Sequence, residues 1–169
     1  WIIGGQERAG QGWRMLMSCL AAGRSISLPA TSAAGAKSLL RTTTAYARIR
    51  KQFNLPIGYM EGVEEPLARM VENAYGLEAA RAVTASMVSA GEKPAVISAL
   101  LKYMSTDRMR QSVNDALDIH GGRGICDGPS NYIQGAYQMV PVGITVEGAN
   151  ILTRTLITFA QGALRSHPY

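Results

Sequence analysis

The chain has 169 residues, of which 47% are hydrophobic and 17% charged, which suits one domain with a sizeable core and excludes a disordered chain. Its two cysteines, Cys19 and Cys126, exclude a disulfide scaffold and fit a reducing compartment. Seventeen Lys and Arg against twelve Asp and Glu give a formal charge of +5, spread without a basic run. That pattern argues against nucleic-acid binding and suits acidic ligands such as nucleotide phosphates.

Trp1-Ile2-Ile3-Gly4-Gly5 reads as the short end of a strand. It lacks the charged region of a signal peptide, and a chain opening at Trp1 is expected to be part of something longer. An apolar helical pattern begins at Trp13 and is expected to end near Leu28, because Pro29 removes an N–H and clashes with the preceding turn. A second helix is expected from Thr31 to Phe53, and a third from Met60 to Ala90 with Pro66 tolerated in its first turn. Gly91-Glu92-Lys93-Pro94 marks a turn. The fourth helix, Ala95 to Ile119, carries Ile97, Leu101, Met104, Met109, Val113 and Leu117 at near-helical spacing and stops at Gly121-Gly122. An irregular stretch over 123–143, with one short helix over 130–137, precedes a last helix from Gly148 to Arg165. No apolar stretch reaches the roughly 18 residues of a membrane span. The pattern predicts an all-α fold: an up-and-down four-helix bundle with an additional short helix and a short N-terminal strand remnant.

Few residues carry obvious chemistry. His120 and His167 stand in no metal-ligand spacing, which argues against a zinc site, and Cys126 has no nucleophile motif around it. Gly121-Gly122-Arg123-Gly124 closes a helix rather than opening one, so it reads as a cap or as backbone that a flat or charged cofactor can approach. The cations Arg48, Arg50 and Lys51 complement a helix C-terminus or offer a guanidinium to a phosphate. Glu147, between an apolar run and Gly148, complements a helix N-terminus or, in apolar surroundings, serves as a base at neutral pH.

Taken together, these segments resemble the C-terminal helical domain of the acyl-CoA dehydrogenases. The resemblance runs through Arg24, Gly35, Tyr46-Ala47-x-x-Arg50-x-Gln52-Phe53-x-x-Pro56-Ile57, Gly121-Gly122-x-Gly124 and Glu147-Gly148, in the family's order. The segment Ile144 to Arg154 most resembles the large bacterial enzymes of fatty-acid β-oxidation.

The resemblance implies that Glu147 removes the α-proton of an acyl-CoA thioester while the β-hydrogen passes as hydride to the flavin of FAD, giving a trans-2-enoyl-CoA. It implies FAD contacts by Arg50, Gln52, Phe53, Asp118, Gly121 and Gly122, partly across to a neighbouring subunit. Ala149, Asn150 and Ile151 would lie beside the flavin, and Arg24 and Gly148 near the acyl-CoA. Residues 1–8 would end a preceding β-domain and 9–169 form the helical domain. The expected partners are the substrate, an electron-accepting protein and further copies of the chain in a dimer or tetramer. The expected location is cytoplasmic, at most peripheral to a bacterial inner membrane. These 169 residues alone are expected to show no turnover and weak or absent FAD binding. An oxidase of the same family and a non-catalytic assembly module are the competing readings.

The sequence departs from the family's pattern in places. Asp118 stands where many relatives carry Gln, Asn54 where Gly is common, and Ala149 where Thr is common. The usual Arg-Asp ahead of the base is replaced by Ala136-Tyr137-Gln138-Met139-Val140-Pro141. Gly23 occupies the position at which a minority of relatives place the base, leaving Glu147 as the candidate.

Overall fold

The computed structural model describes residues 1–92, 94–155, 157 and 159. Its frame is three long helices, α1 (Gly12–Ile49), α2 (Glu61–Ser89) and α3 (Ala95–His120). All three pack on one another. The single-turn α4 (Gly122–Ile125) and the longer α5 (Gln134–Thr145) follow, with α5 lying against α3. Helical backbone resumes at Asn150; the expected end of that helix at Arg165 lies outside the described residues.

The first two expected helices are one. Pro29 sits inside α1 without ending it. A mid-helix proline costs about 3 kcal/mol, but Pro29 is fully buried and is flanked by the buried Arg24, Ser25, Ser32 and Ala33. Tertiary packing along both halves outweighs the local defect. Pro66 lies in the second turn of α2 rather than its first, and is likewise carried through.

α1 stops at Ile49, short of the expected Phe53, and the chain turns into a two-stranded hairpin, β1 (Lys51–Gln52) and β2 (Leu55–Pro56). Lys51 pairs with Pro56 and Gln52 with Leu55. The two-residue loop has φ 51° at Phe53 and 61° at Asn54, the left-handed geometry that matches strand twist in a tight hairpin. Asn tolerates that region well; a bulky Phe does not. Trp1 to Ile3, expected as a strand remnant, pair with no strand among the described residues, and Trp1 and Ile3 are exposed. A strand exists only through a partner's hydrogen bonds. The expected irregular stretch also corrects: α5 covers Gln134–Thr145, with Pro141 inside it.

The seam between the long helices is built from small side chains. Ser98, Ser105 and Ser112 recur every seventh residue on the buried face of α3, and α1 buries Ser25, Ser32, Ala33, Ala36 and Thr43. Such residues let helix axes approach closely. Two apolar clusters complete the core, one of Leu39, Met70, Val113, Ala116 and Ile133, the other of Ala33, Ala36, Ala74 and Leu77.

Candidate functional site

Glu147 sits in the turn between α5 and the last helix, at φ 54°. A non-glycine residue in that region costs on the order of 1–3 kcal/mol and persists only where its surroundings hold it. Three groups do so. Arg24 of α1, itself buried, donates from Nε to the Glu147 carbonyl at 2.7 Å. Its guanidinium lies so close to Gly148 that a Cβ there would come within 3.1 Å of Nη2. Lys102 of α3, fully buried, donates from Nζ to Ile144 O at 3.1 Å, Gly148 O at 2.8 Å and Asn150 Oδ1 at 2.7 Å. Thr153 Oγ1 also donates to Gly148 O, at 3.1 Å. Burial pushes the Lys102 ammonium down from the ordinary lysine value, Arg24 pushes it further, and Glu147 pulls it back.

The Glu147 carboxylate extends over α1 at Gly23. A Cβ on Gly23 would lie 3.1 Å from Oε1. Its other oxygen, Oε2, is buried and has no hydrogen-bond partner among the described residues. A buried carboxylate oxygen without a donor is costly, and such groups in native proteins call for a functional explanation.

A second group of residues meets at the other end of α1. Arg50, Gln52, Asp118, Gly121 and Gly122 line one cleft of about 420 Å³, with Tyr46, Ile57, Met60, Val63 and Pro66 supplying apolar wall. Gly121, at φ 56° and ψ −135°, takes a backbone conformation that glycine's missing Cβ allows and ends α3, its N–H donating to Leu117 O at 2.9 Å. A Cβ at Gly121 or Gly122 would meet nothing within 4 Å, so the backbone faces open space. Arg50 has no ion-pair partner among the described residues. Beneath the cleft, His120 stacks on Tyr46 at 4.1 Å. Its Nδ1 lies 2.7 Å from Ala116 O and its Nε2 2.7 Å from Tyr132 Oη.

A family model described as "Acyl-CoA dehydrogenase, C-terminal domain" matches residues 10–161. The chain belongs to the acyl-CoA dehydrogenase family. It is 32% identical over 114 residues to a 3-(aryl)acrylate reductase of Clostridium sporogenes, covering 68% of this chain and 30% of that protein. It is 30% identical over 118 residues to a mitochondrial isobutyryl-CoA dehydrogenase of Dictyostelium discoideum, covering 69% and 28%. Among solved structures it resembles an acyl-CoA dehydrogenase from Bacillus anthracis complexed with FAD, with a TM-score of 0.76 and 24% identity over 92% of this chain and 30% of that one. The chain thus spans less than a third of the length of the curated relatives it matches.

On this acyl-CoA dehydrogenase domain the residues singled out in the sequence fall into two sets. Arg24, Glu147, Gly148 and Asn150 meet at one place, and Arg50, Gln52, Asp118, Gly121 and Gly122 at the other. Arg24 and Arg50 are 26 residues apart on or just past one helix, about 39 Å at 1.5 Å per residue. Phe53 and Ile151 are exposed and lie in neither set, and Ala149 is half-buried. The Asn150 side chain turns inward, accepting from Lys102 and donating to Thr106 Oγ1 at 2.9 Å. Lys102 escaped the sequence reading. Its signal was faint but present: a cation on the same helical face as Ser98, Ser105 and Thr106. Among the described residues no cluster of His, Cys, Asp and Glu resembles a metal site, and no helix is long and apolar enough to cross a membrane.

Proposed function

We propose that this chain is the catalytic C-terminal part of a FAD-dependent acyl-CoA dehydrogenase in which Glu147 removes the α-proton of a fatty acyl-CoA. The observation that carries the reading is the buried Oε2 of Glu147, which has no hydrogen-bond partner among the described residues. An α-proton next to a thioester is weakly acidic, and a positioned base is worth about 10²–10⁴-fold. Arg24 and Lys102 fix the backbone on either side of that carboxylate, so its aim is set before substrate arrives. The Glu147 backbone N–H donates to no backbone carbonyl among the described residues and is available to polarise the thioester oxygen.

The residues present fit FAD. The cleft at the far end of α1 combines a guanidinium with no ion pair among the described residues, the Gln52 amide and open glycine backbone, a donor set for a diphosphate, with apolar wall for a ring. Asp118 in that cleft suits a ribose hydroxyl or an amino donor rather than a phosphate. FAD, when bound, supplies the acceptor for the β-hydrogen, which leaves as hydride. Because the two sets of residues are about 39 Å apart along α1, one flavin ring cannot sit at both. Arg50, Gln52 and the exposed Phe53 therefore serve the cofactor of a neighbouring copy, in a homo-oligomer. Residues 1–8 belong to a preceding β-domain, and an electron-accepting protein reoxidises the flavin.

The test is Glu147→Gln in the full-length, flavin-loaded protein. Turnover of acyl-CoA is expected to fall about 10⁴-fold, the upper end of what a positioned base contributes, with folding and FAD content unchanged. Wild-type turnover in that variant removes the carboxylate from the chemistry and leaves an assembly role. Dye reduction is expected to exceed oxygen consumption in the wild-type protein; the reverse identifies an oxidase.

A further inference from the structure

An ammonium with no exposed surface needs a reason to be inside a helical bundle. Lys102 has 0% exposure, and its three Nζ partners are all acceptors: Ile144 O, Gly148 O and Asn150 Oδ1. Three acceptors call for three donors, which only the charged form supplies. These partners are not scattered. Ile144 is in the last turn of α5, Gly148 directly follows Glu147, and Asn150 opens the next helix. One atom thus gathers both ends of the turn that holds Glu147 and closes it into a loop of fixed width. The left-handed backbone at Glu147 is a state that a free chain would seldom occupy.

We propose that Lys102 is a positioning residue of the dehydrogenation site, holding the Glu147 turn closed from below so that the carboxylate stays over Gly23. Lys102 makes no hydrogen bond or ion pair with the carboxylate, which it feels only through its charge; Arg24 holds the Glu147 carbonyl from the α1 side, and Lys102 holds the flanking backbone from the α3 side. The division of labour explains why two cations converge on a turn whose carboxylate pairs with neither. The inference rests on the reading of Glu147 as the base.

Lys102→Met in the full-length, flavin-loaded protein separates positioning from simple structural support. Exchange for an apolar side chain of similar volume leaves Ile144 O, Gly148 O and Asn150 Oδ1 without their shared donor, so the unfolding midpoint is expected to fall while the protein still folds and keeps its flavin. A carboxylate misplaced by about 1 Å is expected to lower kcat roughly 10²-fold with little change in KM. Amide hydrogen exchange over 144–150 is expected to accelerate about tenfold or more, independently of any turnover. A kcat within about threefold of wild type overturns the proposal, as does a loss of flavin or of folded protein at the assay temperature that accounts for the whole fall in kcat, which marks a purely structural lysine. Should Lys102→Met fail to fold, Lys102→Gln, which keeps two donors, is judged by the same criteria, and a failure of both to fold also overturns it. Glu147→Gln run alongside distinguishes the two ideas. Wild-type turnover there sinks the base itself, whereas lost turnover there with unaffected Lys102 variants sinks only the positioning role.

Discussion

At the scale of single residues, the most informative contact joins two positions 124 apart, Gly23 in α1 and Glu147 in the last turn. A glycine inside a helix costs about 1 kcal/mol relative to alanine, so Gly23 is a local weakness in α1. Its missing Cβ makes room for Oε1. Gly23→Ala sets two effects against each other. Helix propensity gains about 0.5–1 kcal/mol, while a Cβ at 3.1 Å forces the carboxylate to shift by a few tenths of an ångström. The expected outcome is an unfolding midpoint unchanged or slightly raised, together with turnover reduced roughly tenfold, since small misplacements of a reacting group are expensive. Thermal unfolding and steady-state rates on the same preparation check this. A variant that is more stable and equally active shows that the carboxylate does not work in the position it holds here.

At the scale of elements, the short hairpin between α1 and α2 carries more weight than its length suggests. It presents Arg50 and Gln52 to the cleft and throws Phe53 outward at 92% exposure. The geometry depends on two left-handed residues, so Asn54→Gly is expected to be neutral within a few tenths of a kcal/mol, whereas Asn54→Val is expected to cost about 1–2 kcal/mol locally. The loss is read as faster hydrogen exchange over 50–57 and as reduced flavin content of the full-length protein. Equal exchange in both variants counts against the turn geometry. Elements whose ends carry their own chemistry were legible in the sequence. The stop of α3 at Gly121 and the start of α2 beside Met60 follow from local signals. Pro29 misled because the burial that rescues it is tertiary, and the hairpin was missed because Tyr46 to Phe53 reads as a helical string although its backbone is already extended from Arg50, ahead of the left-handed pair Phe53 and Asn54. On α3 the apolar spacing was only half informative. Leu101 and Val113 are buried, but Ile97 and Met104 are exposed, and the true seam is written in serine. The pairing of Gly23 with Glu147 has no local signature, and Lys102 has only its place on the serine face of α3, since both depend on how helices meet.

At the scale of the whole molecule, His120 ties three parts together: it ends α3, stacks on Tyr46 of α1 and meets Tyr132 from the segment before α5. Donation from Nδ1 to the Ala116 carbonyl leaves Nε2 to accept the Tyr132 hydroxyl proton, an arrangement that requires the neutral ring. Burial lowers the His120 pKa from its ordinary value, the Ala116 carbonyl works in the opposite direction, and Arg123 adds a smaller lowering. With the folded value below the unfolded one, the unfolded chain binds the proton more readily, so stability rises with pH through that interval. The contribution is intact above about pH 6.5 and declines as pH falls below it, at no more than about 1.4 kcal/mol per unit. Glu78, held at about 2 by Arg81 and Lys37, does not titrate in this window. Urea unfolding between pH 7.5 and 5 is therefore expected to show a midpoint that falls with acid, and His120→Gln, which cannot be protonated, is expected to flatten that fall while lowering the midpoint at pH 7.5. An equally steep acid limb in the variant would mean that the ring is not what senses the proton. Because Tyr46, Gly121 and Gly122 border the same cleft, the wild-type protein is also expected to lose flavin over this pH range before it unfolds globally.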